Sequence, residues 1–481
     1  MKSQTTEKRS HPRLHATKAT FPVAFLMAVI LLFTVPNTHA FNLSTWNGSF
    51  SNYWDDEENW VPMYAPVDYP DVAVIGETFY RTDIYFRFTA NNGQFTTLKE
   101  FSYQSPVTPQ TFHVNDGLSL AMYDVTNSTG QPLYFDFTNG EIDLYGRAGK
   151  FTNYSSSQGG VITFTPGIQR NGDAGSSVIH CGCEGEDAFQ CVIYFGGPVT
   201  ANKSTLIADG CPEGAGSDII FDEQSLGGTA RVELFGNGQL DISPHRAPLT
   251  IGSVEGDGLI FLGDSQLTVG SNSLSTAFSG IIQDGGDSGG AGGSLGKTGS
   301  GTLTLSGAST YTGITTVSAG TLLVNNTTGS GTGTNTVMVS GGTLGGTGII
   351  SNAVAIGNGS GTTAFLAPGS GGIGTFTIQK KLTFKADAVY ECEIDSGTAT
   401  FDRVTAKGVK IQGANFALID LGTGTLTPGT VFTVIDNTAA NAILGQFANL
   451  ADGSTQTIGN NTYLVSYSGG SGNDLTLTVV Q

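Results

Sequence analysis

Residues 286–290 read Gly-Asp-Ser-Gly-Gly, a spelling that can surround a nucleophilic serine. A serine hydroxyl attacks only when a histidine takes its proton and a buried aspartate holds that histidine in place. Beyond residue 40 the histidines are His113, His180 and His245, and none stands in an Ala-Ala-His-Cys setting. The motif also lies within Gly285 to Gly293, where Gly, Ser and Asp are the composition of a turn-rich loop. The expectation is therefore a loop and no catalytic residue.

Paired carboxylates are the next chemistry to seek, because cleaving a glycosidic bond takes two of them, one on either side of the bond. The stretch from Gly296 to Ile378 contains no Asp or Glu, so a catalytic pair is expected in the N-terminal half if anywhere. There the densest clusters are Asp55-Asp56-Glu57-Glu58 and Glu184-Gly185-Glu186-Asp187. Either could hold Ca²⁺ through carboxylate oxygens, or be solvated surface with no ligand. The reading is no cofactor, with Ca²⁺ as the alternative.

Trp46, Trp54 and Trp60, with Tyr53, Tyr64 and Tyr69, gather enough aromatic surface to stack on sugar rings. The same residues could instead plug the open end of a fold. The plug is preferred here and a glycan contact at the three tryptophans is kept beside it. Cys181, Cys183, Cys191 and Cys211 cluster next to His180, which suits either zinc or two disulfides. In an exported chain disulfides are favoured, and four cysteines leave three pairings open. Cys392 is left over and expected to be buried.

These residues need a scaffold. Glycine occupies 69 of 481 positions and charged residues make up only 13% of the chain, a composition poor in helix formers. Gly301-Thr302-Leu303, Gly320-Thr321-Leu322 and Gly342-Thr343-Leu344 recur at 19 and 22 residues, and Gly374-Thr375-Phe376 is a further copy. A period near 20 is that of one coil of a β-solenoid. Within each copy polar and apolar residues alternate, as in Thr302-Leu303-Thr304-Leu305, sending Leu inward and Thr outward. Stacked coils then share one apolar column, which no single coil could bury alone.

The first 40 residues carry five basic residues, then an uncharged apolar run from Phe21 to Val35, then Thr38-His39-Ala40. That order predicts a secretory signal cleaved near Ala40, and the run is shorter than the roughly 20 residues a membrane span needs. Setting residues 1–40 aside takes the formal charge from −19 to −23. Such acidity argues against nucleic acid as a partner, and no membrane span is expected in the mature chain.

The segment Gly296-Lys297-Thr298-Gly299-Ser300-Gly301-Thr302-Leu303-Thr304-Leu305-Ser306-Gly307, with Tyr311-Thr312-Gly313 and Thr315-Thr316-Val317-Ser318-Ala319-Gly320-Thr321-Leu322, resembles the autotransporter-associated β-strand repeat. Flanking runs agree, among them Leu366-Ala367-Pro368-Gly369 and Phe432-Thr433-Val434-Ile435. The resemblance implies an all-β chain folded as a right-handed parallel β-helix, located outside the cytoplasm. It divides the chain into a signal (1–40), a β-rich N-terminal region with the cysteine-containing insertion (41–235) and a repeat β-helix (236–481). It also implies a C-terminal membrane barrel, for which the sequence through Gln481 holds no matching run of strands. The expected function is a non-enzymatic structural or adhesive surface protein that contacts an extracellular glycan or surface protein. The alternative is a carbohydrate-active β-helix enzyme.

Overall fold

The computed structural model describes residues 224–481 apart from residue 360 and, between residues 43 and 222, chiefly strands and short turns. Among the described residues there is no α-helix, and a 3-10 turn at Glu57–Asn59 interrupts the strands. Phe41–Gln481 form one compact unit. The acid cluster Glu184–Asp187, Asp55, Asp56, Tyr64, Tyr69, Cys191 and the predicted signal lie outside the described residues.

The chain is a parallel β-solenoid, as the 20-residue period predicts. Its strands stack into sheets of 12, 16, 8 and 7 members. Strands adjacent in space lie one coil apart in sequence: Thr302–Leu305 pairs in parallel with Thr321–Val324, then Gly342–Gly346, then Ala364–Pro368. The ladders cross residue 236 without a break, since Asp218–Phe221 pairs with Gln239–Asp241 and Arg231–Leu234 with Ser253–Gly256.

Register explains the alternation. Leu303, Leu322, Leu344 and Leu366 stand opposite one another in successive coils and all are buried. Each contributes roughly 1.5–3 kcal/mol by leaving water. Thr302, Thr321 and Thr343, one residue earlier, line the outer face of the same ladder. The glycine before each threonine is set by the corner. At Gly320 φ is +66°, and a Cβ would run into the carbonyl oxygen of Gly299 in the coil before.

The eight-stranded sheet runs from Leu249–Ile251 to Val409–Ile411. One of its inward rows reads Ile251, Val269, Lys297, Val317, Val339, Ile356, Phe384, Ile411. Lys297 thus occupies an apolar position and is only 2% exposed. Its ammonium donates to the carbonyls of Thr298, Gly299 and Ala319, at 2.5, 3.2 and 3.3 Å. The cation therefore ties three backbone acceptors of two successive coils at one corner.

Both ends depart from parallel pairing. Leu43–Trp46 meets Trp60–Val61 in antiparallel register at one edge of the 12-stranded sheet. At the other end Val431–Asn437, Asp474–Val479, Asn461–Gly469 and Thr455–Ile458 run antiparallel to one another. Phe384, Tyr390, Phe416 and Phe447 pack beneath them with ring centroids 5.3–6.2 Å apart. Reversing the chain in this way occupies strand edges that a last parallel coil would leave open.

Candidate functional site

The three tryptophans come together, but facing inward. Their ring centroids lie 4.5, 5.1 and 6.3 Å apart, and Trp46, Trp54 and Trp60 are 0%, 1% and 0% exposed. The indole N–H of Trp60 donates to the Trp54 carbonyl at 2.7 Å. Asn59 closes the surrounding turn, accepting from the Phe50 N–H and donating to the Tyr53 carbonyl, both at 2.9 Å. A sugar ring needs an open aromatic face, and none of these three indoles presents one. The glycan contact kept as the alternative at Trp46, Trp54 and Trp60 finds no open indole face, because the rings are buried in one another.

The serine motif is held as a loop. Asp241 accepts the backbone N–H of Asp287 at 2.7 Å, and the Ser243 hydroxyl accepts that of Ser288 at 2.9 Å. Burial raises the pKa of Asp241 even though three hydrogen bonds oppose it. His245 is occupied elsewhere, its ring nitrogens 2.6 Å from the Ala247 carbonyl and 2.8 Å from the Ser225 carbonyl. No base is therefore aimed at Ser288 by that histidine. His180 lies 2.6 Å from the Asp209 carboxylate.

Cys181 and Cys183 lie on Val178–Cys183, which pairs with Phe151–Ser155 and Thr205–Ala208. Cys211 is buried and stands in a disulfide, whose partner falls outside the described side chains. Cys392 is a buried free thiol. Of the first acid cluster, Glu57 and Glu58 lie exposed on the 3-10 turn. Among the described residues no three His, Cys, Asp or Glu side chains gather as metal ligands.

Two acidic groupings have no dense run of acids along the chain to mark them. On the 16-stranded sheet Arg231 meets Glu233 at 3.1 Å and also bonds Glu255. Burial raises the pKa of Glu233 despite the guanidinium beside it. On Ala388–Asp395, Glu391 and Glu393 alternate with the buried Tyr390, Cys392 and Ile394, so they share the outer face. Burial, then repulsion from Glu393, raises the pKa of Glu391. Asp402, buried beneath, is pushed up to about 6 by desolvation and accepts the N–H groups of Gly374 and Glu393 at 2.8 and 2.9 Å. The alternation Tyr-Glu-Cys-Glu-Ile-Asp was the available signal in the sequence.

An outer row of the eight-stranded sheet reads Thr250, Thr268, Gly296, Thr316, Met338, Ala355, Thr383 and Lys410, each opposite the next. It carries no charge before Lys410.

Residues 295–324 match the passenger-associated-transport-repeat family model. This is the stretch from Leu295 to Val324 that holds Lys297, Gly301, Tyr311 and Gly320. It confirms the resemblance drawn from the sequence. No curated protein matches the chain in sequence. The passenger-type repeat and the parallel solenoid together fit an autotransporter-passenger-like protein.

Proposed function

We propose that this chain is an exported, passenger-like β-solenoid that acts at or outside the cell surface as a structural or adhesive element and turns over no substrate. The observation that carries the reading is the outer row from Thr250 to Thr383. Among the described residues the hydroxyls of Thr250, Thr268, Thr316 and Thr383 make no intramolecular hydrogen bond. β-Branched side chains on a rigid ladder lose little freedom on contact, which favours binding an extended partner over enclosing a small substrate. Cleavage near Ala40 and an extracellular glycan or surface protein as partner belong to the same reading.

A glycan array and a polysaccharide-degradation screen on residues 41–481, with and without Ca²⁺, test it. Retention on glycans or cells without product release is the expected result, and enzymatic turnover would reject it. The second reading, a carbohydrate-active enzyme, rests on Glu391 and Glu393 sharing one outer face. If it holds, Glu391→Gln and Glu393→Gln each abolish turnover while leaving the melting temperature in place.

A further inference from the structure

The acidic chain carries a segregated basic corner. Of the 16 Lys and Arg residues beyond residue 40, six fall between Lys380 and Lys410, and none follows. That stretch also contains five acids, so its sequence reads as nearly neutral. Folding separates the two signs. Glu391, Glu393 and Asp395 lie on the outer face of the 16-stranded sheet, and Asp402 is buried.

The lysines flank the last strands of the eight-stranded sheet. Lys380 and Lys407 are stacked in successive coils, the N–H of Lys407 donating to the Lys380 carbonyl at 3.1 Å. Lys381 precedes Leu382–Phe384, Lys410 sits opposite Thr383 within Val409–Ile411, and Lys385 follows Phe384. Lys380, Lys381 and Lys407 are exposed, and Lys385 and Lys410 half-exposed. Among the described residues none of the five forms an ion pair or a side-chain hydrogen bond.

The surrounding carboxylates are engaged otherwise. Asp387, which feels the charge of Lys385, accepts the N–H groups of Asn358 and Gly359 at 3.0 and 2.8 Å. Asp436 accepts from the Thr405 hydroxyl at 3.4 Å. In the coils on either side the backbone is bonded to uncharged residues, Val354 donating to the Lys381 carbonyl and Thr438 to the Ala406 carbonyl.

We propose that the corner formed by Lys380, Lys381, Lys407 and Lys410, with Lys385 at its margin, is a docking site for an anionic extracellular polysaccharide. The occupant follows from charge. Unpaired ammonium groups on consecutive coils, about 4.8 Å apart along the stack, suit a linear chain bearing a carboxylate or sulfate on each sugar. A denser polyanion is disfavoured. Duplex DNA carries one charge per ~1.7 Å, and the rest of this acidic chain repels it in proportion. The proposal deepens the adhesive reading and rests on its extracellular location.

The test is binding of the chain spanning residues 41–481 to immobilised polygalacturonate and dextran sulfate, with uncharged dextran beside them. Expected is binding to both polyanions that weakens as salt rises from about 50 to about 500 mM. The triple variant K380E/K381E/K407E should lose at least tenfold in affinity, and Lys203→Glu, on another coil, should lose less than twofold. K380A/K381A/K407A serves as the second variant should charge reversal disturb folding, which circular dichroism checks. Equal polyanion binding by wild type and triple variant overturns the assignment. So does binding only to anionic vesicles or to duplex DNA. Absence of polyanion binding with retained neutral-glycan binding rejects this corner and keeps the adhesive reading, whereas polyanion binding lost in the triple variant supports the corner even if cell adhesion fails.

Discussion

Lys297 shows how one residue departs from its pattern for a stated reason. It stands in a row of Ile, Val and Phe, yet its ammonium satisfies three carbonyls that the glycine-rich corner leaves turned inward. Burial lowers its pKa to about 8. The folded chain therefore gives up this proton more readily than the unfolded one, and the contribution to stability grows as pH rises from about 8 towards the ordinary lysine value near 10.4. Urea titrations across that window should show wild type gaining on Lys297→Met, and parallel profiles would mean that the three carbonyls offset the desolvation and leave the lysine unshifted. The lysine was visible in the repeat motif, but its inward direction was not, because an apolar row is defined by neighbours one coil away.

At the scale of the element, the repeated Gly-Thr-Leu unit assigns each residue a face. Leu344 is buried between Leu322 and Leu366, whereas Thr343 stands on the outer side of the same strand. Leu344→Ala should cost about 2–5 kcal/mol by leaving a cavity that the stacked coils close poorly. Thr343→Ala should stay within roughly 0.5 kcal/mol. Chemical denaturation of the two variants measures both, and a comparable loss at Thr343 would contradict the face assignment. This part of the fold was legible because a period of two within a period near 20 has one economical solution. The acid pair Glu391 and Glu393 was legible by the same alternation. It was passed over because the search followed local acid density, and an outward strand face spaces its acids by two.

For the whole molecule, stability is passed from coil to coil, so what happens at an end depends on how that end is closed. Trp60 is fully buried against Trp46 and Trp54. Trp60→Ala should cost about 3–5 kcal/mol locally. Hydrogen exchange should then show Leu43–Trp46 and Val72–Ile75 losing protection while Thr302–Leu305 keeps it. Uniform loss along the chain would mean that the tryptophans support the entire stack instead of its first coils. Charge is likewise a property of the assembled molecule. The net value argued against nucleic acid, yet folding places Lys380, Lys381 and Lys407 on adjoining coils and Glu391, Glu393 and Asp395 on another face.

The sequence by itself determined the fold class, the coil period, the inward and outward alternation and the passenger-type repeat, because each depends on residues near one another along the chain. Only the tertiary structure decided that the tryptophans face one another instead of solvent, that Lys297 points into the core and that the lysines between Lys380 and Lys410 fall on adjoining coils. Those outcomes depend on which coil stacks on which and in what register, a relation between residues about 20 to 30 positions apart that composition does not encode.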